Sequence, residues 1–396
     1  MIPLPYQMVI YPTLIVYIGC HRSMTQLEVD ADGKSVKEKE SITMEDAQKF
    51  PLVASCSLGG LFLAFKFLDQ DMVNMVLNGY ISVAGVFTIT GTFSPIFGDL
   101  APGLKTTVTL WPDFEAPLLG KIEGTFSKAN FVSFAMAAAF NWGYFASGKH
   151  FMLNNIFGIS FCVQAIEAIS LQDYKTGAAL LSGLFFYDIF WVFGTASRDK
   201  GGDSVMETVA KKFDGPIKIL FPKETLFAVP TAWGCAEGTV FDVPTLINGS
   251  LALCKAAPSA VEVFTYLATN GPVMPDGLKD QSLLGLGDIV LPGLFVAMLL
   301  RYDATKANVD PAGGATTDFP KPFFYTNICF YAGGLVVTIM VMNIFKVGQP
   351  ALLYLVPACV GGSALTALVT GQFTPLLAYT EIEVEENADS EDKKNK

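Results

Sequence analysis

Two aspartates lie inside stretches of this chain that are apolar enough to be buried in a membrane. Asp188 lies in GAALLSGLFFYDIFWVFGTA (177–196) and Asp288 lies in LLGLGDIVLPGLFVAMLL (283–300). A carboxylate inside a bilayer is costly, and an intramembrane acid is therefore a candidate functional residue. Two such acids on consecutive hydrophobic stretches predict one shared site that carries out acid–base chemistry.

The positions of the two acids place them at similar depths. Asp188 lies eight residues before the expected end of its span, and Asp288 lies about six residues after the expected start of the next span. At about 1.5 Å per helical residue, both would lie roughly 9–12 Å below the same membrane face. Because neighbouring antiparallel helices bring such residues to matching heights, we expect the two carboxyl groups to face one another.

Two carboxyl groups this close together do not both ionise, and the pair shares one proton. One group then acts as an acid and the other as a base. Aspartic proteases use this arrangement to activate a water and to polarise the scissile carbonyl, without a covalent intermediate. A zinc protease or a serine–histidine dyad fits poorly, because the only histidines are His21 and His150, both near span ends. No metal-ligand spacing is present, and we expect neither a metal nor a cofactor.

Residues beside the acids could support this chemistry. Gly285 and Gly287 leave room for a second backbone next to Asp288, which would allow an extended substrate to pair there, although small residues also serve ordinary helix packing. Tyr187 could donate a hydrogen bond beside Asp188 or simply pack. Pro350 in the segment Gln349, Pro350, Ala351 and Leu352 is, taken alone, an ordinary residue for a first helical turn.

Composition indicates an all-α polytopic membrane protein. Of 396 residues, 51% are hydrophobic and 16% are charged, and the mean hydropathy is +0.43. A net charge of −11 argues against a nucleic-acid partner. About nine stretches are long enough to cross a bilayer, at 2–20, 50–68, 72–97, 130–147, 151–171, 177–196, 282–300, 323–345 and 350–371.

The distribution of basic residues predicts the orientation of these spans. With a lumenal amino terminus, the cytosolic loops would hold twelve basic residues: Arg22, Lys34, Lys37, Lys39, Lys49, Lys105, Lys121, Lys128, Lys175, Arg301, Lys306 and Lys321. The short lumenal connections and their surroundings hold three, Lys66, Lys149 and Lys346. Because positive residues favour the cytosolic side, we expect a lumenal amino terminus and a cytosolic carboxyl terminus.

One long lumenal connection would separate spans six and seven. Val205, Val209, Phe213 and Ile217 recur at about one helical turn and predict an amphipathic helix, either interfacial or soluble. Further along, Asn248 begins an N-glycosylation motif, and Cys235 and Cys254 could form a disulfide in an oxidising lumen. The chain ends Lys393-Lys394-Asn395-Lys396, which matches a dilysine retrieval signal and predicts the endoplasmic reticulum membrane.

Three separated motifs resemble those of a known family. Tyr187-Asp188, Gly285-Leu286-Gly287-Asp288 and Pro350-Ala351-Leu352 are similar to the YD, GxGD and PAL motifs of intramembrane aspartic proteases. The longer stretches GLFFYDIFWVFGT, LGLGDIVLPGLFVAMLLRYD and FKVGQPALLYLVPAC resemble the signal peptide peptidase family. The resemblance implies nine helices, catalysis by Asp188 and Asp288, and an active site lined by Pro350, Ala351 and Leu352. It also implies cleavage of signal-peptide remnants and type II membrane anchors. Residues 226–280 and the loop at 98–129 depart from that pattern.

The expected organisation has five parts: helices one to five (1–171), catalytic helix six (172–196), the lumenal loop with its insertion (197–281), catalytic helix seven with the PAL-bearing helices (282–371), and an acidic cytosolic tail (372–396). Its expected partners are transmembrane peptides, including signal peptides, and the lipid bilayer; a homo-oligomer is left open. From the carboxylates alone, a proton-coupled transporter or channel is an equal alternative. A non-proteolytic scaffold is a third.

Overall fold

The structure is a computed structural model that describes residues 4–25, 40–109, 114–116, 120–122, 125–195, 204–213, 215–222, 226–228, 240–242, 281–309, 318–345 and 350–381. Most of these residues are helical. The long helices are α1 (Leu4–Thr25), α2 (Met44–Phe67), α3 (Gln70–Leu100), α4 (Lys128–Ala146), α5 (Phe151–Ala168), α6 (Tyr174–Ile189), α8 (Gly287–Lys306), α9 (Pro322–Phe345) and α10 (Leu352–Val369). Two short helices are α7 (Val205–Lys212) and α11 (Phe373–Leu377). A 3₁₀ turn lies at Pro102–Lys105, and a π-helical turn at Phe190–Gly194 follows α6.

Short strands form two-stranded sheets between the helices. The strands are β1 (Glu40–Ile42), β2 (Thr107–Thr109), β3 (Phe114–Ala116), β4 (Gly120–Ile122), β5 (Thr125–Ser127), β6 (Ile169–Leu171), β7 (Lys218–Pro222), β8 (Leu226–Ala228), β9 (Val240–Asp242) and β10 (Gln281–Gly285). β1 pairs with β6 in parallel, with Glu40 opposite Ile169. The pairs β2–β5, β3–β4 and β8–β9 are antiparallel, and β7 pairs with β10.

The chain divides into two compact units. The smaller comprises Met1–Met8 and Leu220–Leu284, and within it β8 and β9 form a hairpin-like pair with Phe227 opposite Phe241. The larger comprises Val9–Ile219 and Gly285–Lys396 and holds the helical bundle. Asp188 and Asp288 both belong to the larger unit.

Among the described residues, six helices are long and apolar enough to cross a membrane: α2, α3, α5, α6 together with its π-helical turn, α9 and α10. Each of the nine predicted stretches overlaps one of the long helices. α8 carries Asp288, Arg301, Asp303 and Lys306, and these charges set it apart from the six. The structure is therefore that of a helical, multi-pass membrane protein.

The predicted start of the seventh span at residue 282 is wrong. Gln281–Gly285 form strand β10, and helix α8 begins only at Gly287. Asp288 therefore lies in the first helical turn of α8 rather than six residues inside a helix. The depth that we derived for it from helical rise does not hold, because an extended segment rises about twice as far per residue.

α8 forms the core of the larger unit. Every residue from Pro292 to Ala304 is buried, and α8 packs against α5, α6, α9 and α10. Gly293 allows the closest approach, because a Cβ atom added there would lie 2.5 Å from Ile166 Cδ1 on α5. A helix that is apolar nearly all round is expected at such a position.

Polar side chains at helix starts satisfy the free backbone N–H groups that every helix end exposes. Thr43 and Asp46 form a capping box at the start of α2. Asp173 accepts the Thr176 N–H at 2.6 Å at the start of α6. These caps fix where α2 and α6 begin.

The predicted amphipathic helix after α6 is confirmed as α7. Val209 and Phe213 are buried and form a cluster with Phe65 on α2 and Val73 on α3. Ile217 is the exception to the predicted pattern, because it lies beyond the end of α7 and is 40% exposed.

Candidate active site

The two aspartates singled out by the sequence lie at the ends of two helices that pack against each other. Asp188 lies on the last turn of α6 and is 2% exposed, and Asp288 lies in the first turn of α8 and is half-buried. The two carboxyl groups are near enough to interact electrostatically. The structure therefore brings together the two residues that the sequence had singled out.

The backbone beside Asp188 changes from an α-helical to a π-helical pattern. The Phe190 N–H donates to the carbonyls of both Phe186 and Tyr187, and the π-helical turn extends to Gly194. Single π-helical turns are rare and often occur at functional sites. Nothing in the sequence signalled this turn.

Tyr187 is half-buried and its ring lies 6.5 Å from that of Trp191. Trp191 in turn donates its Nε1–H to Ser55 Oγ on α2 at 3.0 Å. Tyr187 also interacts electrostatically with the Asp188 carboxyl group. It therefore lies beside the acid and near the tryptophan that bonds to α2.

The GxGD segment places Asp288 at a junction between extended and helical backbone. The Leu286 N–H donates to the Ile217 carbonyl at 3.3 Å, and the Leu286 carbonyl accepts from the Val290 N–H at 2.9 Å. Leu286 therefore ends the extended segment and begins α8. Its carbonyl also lies 4.0 Å from the Cys162 Sγ on α5.

The two glycines of this segment have different surroundings. A Cβ atom added at Gly285 would lie 3.3 Å from Asp288 Oδ2, whereas one added at Gly287 would meet only Leu291 Cδ1, at 3.8 Å. Gly285 therefore keeps the space beside the carboxylate open. Gly287 has room for a side chain.

The PAL residues lead into α10, which begins at Leu352, and lie next to Asp188. Pro350, Ala351 and Leu352 are buried, and a backbone hydrogen bond from Leu352 reaches the Asp188 carboxyl group. Asp188 Oδ2 itself has no hydrogen-bond partner among the described residues. A buried oxygen of this kind is unusual in a structural carboxylate and is consistent with a reacting one.

Two polar contacts fix the helices that surround the aspartates. The Tyr174 hydroxyl on α6 lies 3.0 Å from Ser363 Oγ on α10. On α9, Asn327 Nδ2 donates to the Cys359 carbonyl of α10 at 2.7 Å.

Tyr331 is a neighbour of the site that sequence reasoning missed. It is fully buried on α9, and its hydroxyl donates to the Asp288 backbone carbonyl at 3.4 Å. The signal in the sequence was only a single tyrosine in an apolar run. Because Tyr331 is 43 residues from Asp288 along the chain, spacing gave no indication of the contact.

Another buried acid, Glu167 on α5, forms an ion pair. Glu167 is 4% exposed, and its Oε2 lies 2.8 Å from Arg22 Nε on α1. Gln349, Asn248, Cys235 and Cys254 lie outside the described residues. Within the part of the chain that is described, no group of three or more His, Cys, Asp or Glu side chains could hold a metal ion.

Comparison with known proteins agrees with this site. A family model described as signal peptide peptidase matches residues 34–233 and 266–383, which is most of the chain. The chain belongs to the signal peptide peptidase family. The matched ranges include α6, α8 and the PAL segment and leave out 234–265, which contain Cys235, Asn248 and Cys254.

Relatives of this family cover nearly the whole chain. Signal peptide peptidase of Homo sapiens is 33% identical over 93% of this chain and 81% of its own length. The Mus musculus protein of the same name is 34% identical over 93% of this chain and 80% of its own. Intramembrane protease 2 of Caenorhabditis elegans is 28% identical over 94% and 90%. Membership of the signal peptide peptidase family makes this chain an intramembrane protease.

Proposed function

We propose that this chain is an aspartic endopeptidase that hydrolyses peptide bonds inside membrane-spanning segments, with Asp188 and Asp288 as its catalytic pair. The observation that carries the proposal is that two carboxyl groups from two packed, largely apolar helices lie near enough to interact electrostatically. Such a pair has few structural uses, because hydrophobic residues of similar size would stabilise the same interface at no desolvation cost.

In the proposed mechanism the two carboxyl groups share one proton. The ionised member accepts a proton from a water as that water attacks the scissile carbonyl carbon, and the protonated member donates a hydrogen bond to the carbonyl oxygen. The resulting tetrahedral intermediate collapses when the amide nitrogen receives a proton from the pair. The surrounding apolar helices exclude bulk water and so strengthen these interactions.

The substrate must be extended at the bond that is cleaved, because a helical peptide bond is shielded by its neighbours. The open space at Gly285 supports this requirement, since it gives a second backbone access to the side of Asp288. We propose that the substrate pairs there in an extended conformation. Tyr187, Leu286, Gly287 and the segment Gln349, Pro350, Ala351 and Leu352 would shape the same site.

The relatives named signal peptide peptidase support signal-peptide remnants as substrates, together with type II membrane anchors. We further propose nine membrane-spanning helices, a lumenal amino terminus and a cytosolic carboxyl terminus in the endoplasmic reticulum membrane. The charge distribution and the dilysine end support this topology. The five-part organisation given above follows from the same topology.

Residues 226–280 are proposed as a lumenal insertion. The gap in the family match at 234–265 supports this, since it contains all three residues expected to be modified in the lumen. Asn248 would carry a glycan, and Cys235 and Cys254 would form a disulfide. A shift in electrophoretic mobility on endoglycosidase treatment would test the glycan, and alkylation with and without reductant would test the disulfide.

Cleavage of a labelled signal peptide by the purified protein in detergent tests the proposed activity. Asp188→Ala and Asp288→Ala should each abolish cleavage, whereas Asp99→Ala, at an exposed acid paired with Lys105, should leave it unchanged. Full activity in either catalytic variant would overturn the assignment of the pair. Because detergent micelles hold no proton gradient, cleavage there also separates a protease from a proton-coupled transporter or a silent scaffold.

A further inference from the structure

A buried charged residue lies at the opposite end of α8 from Asp288. Arg301 follows Asp288 by 13 residues, which corresponds to about 20 Å of helix. Arg301 is 4% exposed, although an arginine is almost never fully buried unless it is paired. None of the chemistry proposed for the site uses it.

The tail supplies the counter-charge of Arg301. Arg301 Nε lies 2.8 Å from Glu381 Oε1, and Arg301 Nη1 donates to Ser23 Oγ on α1 at 3.0 Å. Within the described residues no other acid pairs with Arg301. Asp303, two residues on, accepts the Phe324 N–H at 2.9 Å and so caps α9 instead. Glu381 is therefore the group that makes burial of Arg301 tolerable.

The same tail segment is attached to the start of the other catalytic helix. The Glu381 N–H donates to the Gln172 carbonyl at 2.9 Å, and Thr380 forms a bridge with Asp173, the residue that caps α6. Asp188 lies 14 residues beyond Tyr174, the first residue of α6, which is about 21 Å. One short segment thus holds both α6 and α8 at the ends that lie far from their aspartates.

We propose that Glu381 is a positioning residue for the catalytic pair. Its carboxylate, bound to Arg301 while its backbone is bound to Gln172, sets the axial position of α8 relative to α6. That position in turn determines how Asp288 and Asp188 meet. The inference rests on the proposed function, because its consequence for activity is measured as peptide cleavage.

Cys20 provides a readout that does not depend on activity. It is fully buried on α1, and its Sγ contacts the Gly293 carbonyl of α8 at 3.6 Å. If α8 shifts, this contact opens and the thiol becomes accessible to an alkylating reagent. The rate of Cys20 alkylation, measured by peptide mass spectrometry on the full-length protein, therefore reports the position of α8.

The test compares Glu381→Gln with Glu45→Gln, which removes an exposed carboxylate that pairs with Lys49 on α2. Glu381→Gln should lower kcat about ten- to hundred-fold and raise the alkylation rate of Cys20, because small displacements of catalytic groups have large effects. Glu45→Gln should change neither. Two further variants keep the ion pair: Glu381→Asp keeps the negative charge, and the double variant Arg301→Glu with Glu381→Arg exchanges the two charges. In both, kcat and the rate of Cys20 alkylation should return most of the way to those of the unaltered protein.

Unchanged kcat and unchanged Cys20 alkylation in Glu381→Gln would overturn the proposal. A fall in kcat with Cys20 still protected would also overturn it, because α8 would not have moved. If the unaltered protein cleaves no peptide, the proposed function fails, and Cys20 alkylation still decides whether Glu381 holds α8. If Glu381→Gln does not fold, equal alkylation of Cys20 in the unaltered protein and in folded Glu381→Asp supports the role of the charge, and unequal alkylation contradicts it.

Discussion

Alanine substitutions at the two glycines of the GxGD segment should differ in effect: Gly285→Ala should lower kcat, and Gly287→Ala should leave it unchanged. In Gly285→Ala the new Cβ lies 3.3 Å from Asp288 Oδ2 and 3.9 Å from its Cγ. A relaxed carbon–oxygen contact is a few tenths of an ångström longer, and the carboxylate must move by about that amount. In Gly287→Ala the nearest atom is Leu291 Cδ1, at an ordinary contact distance of 3.8 Å.

The magnitudes follow from these distances. A displacement of about 1 Å at a catalytic group costs about a hundredfold in rate, and a shift of a few tenths should therefore lower kcat about three- to tenfold. Gly287→Ala should keep kcat and raise the free energy of unfolding by about 0.5–1 kcal/mol, because alanine is the better helix former at the start of α8. KM should rise in Gly285→Ala, because the new methyl group occupies space proposed for the extended substrate, and should change little in Gly287→Ala.

The assay is cleavage of a labelled signal peptide in detergent, with thermal unfolding of the same samples. Gly333→Ala on α9 is the matched control, because an added Cβ there has no neighbour within 4 Å. Equal kcat values for Gly285→Ala, Gly287→Ala and Gly333→Ala would refute the inference that Gly285 keeps space beside the catalytic carboxylate. A loss of activity in Gly287→Ala alone would refute the inference that Gly285 keeps the space beside Asp288 open and that Gly287 has room for a side chain.

Three further predictions concern the neighbouring contacts. Tyr331→Phe removes the hydroxyl that donates to the Asp288 carbonyl and should lower kcat about two- to tenfold with unchanged KM, as measured by steady-state cleavage. Gly85→Ala on α3 places a Cβ 2.4 Å from the ring of buried Phe157 and should lower the free energy of unfolding by about 1–3 kcal/mol, whereas Gly79→Ala on the same helix meets nothing and should not. The Nδ1 atom of His150 accepts the Met152 N–H at the start of α5, and burial lowers the pKa of the imidazole. The neutral imidazole therefore stabilises the folded protein at a pH above the pKa that His150 has in the unfolded chain. This stability is lost as the pH falls through the lower pKa of the folded protein. Between about pH 7.5 and about pH 5.5, the thermal midpoint should fall further in the unaltered protein than in His150→Asn, which keeps a cap without titrating. Parallel midpoints in the two proteins would contradict this account of His150.

Hydropathy alone located the helices because a bilayer demands long apolar stretches whatever the tertiary structure. The eighth stretch, predicted at 323–345, is helix Pro322–Phe345, and the third, predicted at 72–97, is Gln70–Leu100. The two aspartates proposed as the catalytic pair were equally accessible to sequence reasoning. A charge inside an apolar run stands out without any knowledge of its neighbours.

The start of α8 shows where such reasoning fails. Residues 283–287 are only leucine and glycine, and an apolar run of a few residues fits a strand as well as a helix. The glycines at 285 and 287 were visible, but their different surroundings depend on where the Asp288 carboxylate points.

Contacts between residues far apart along the chain were likewise not predictable. Tyr331 and Asp288 are separated by 43 residues, and Glu381 and Arg301 by 80. Each of these residues has an ordinary local sequence context. Their importance arises only from the packing of helices, which no single-sequence pattern encodes.

The π-helical turn after α6 determines which neighbouring helices the side chains on either side of it contact. With the roughly 100° rotation per residue of a regular α-helix, side chains three positions apart would point within about 60° of each other. Asp188 and Trp191 are three positions apart, yet Asp188 faces α8 and α10 while Trp191 bonds to Ser55 on α2. Because the π-helical turn changes the rotation per residue, the Asp188 carboxyl group points toward α8 and α10 while the Trp191 indole points toward α2. Deleting a single residue from that turn would leave the two side chains about 200° apart around a regular helix, and Trp191 would lose the direction from which it bonds to Ser55.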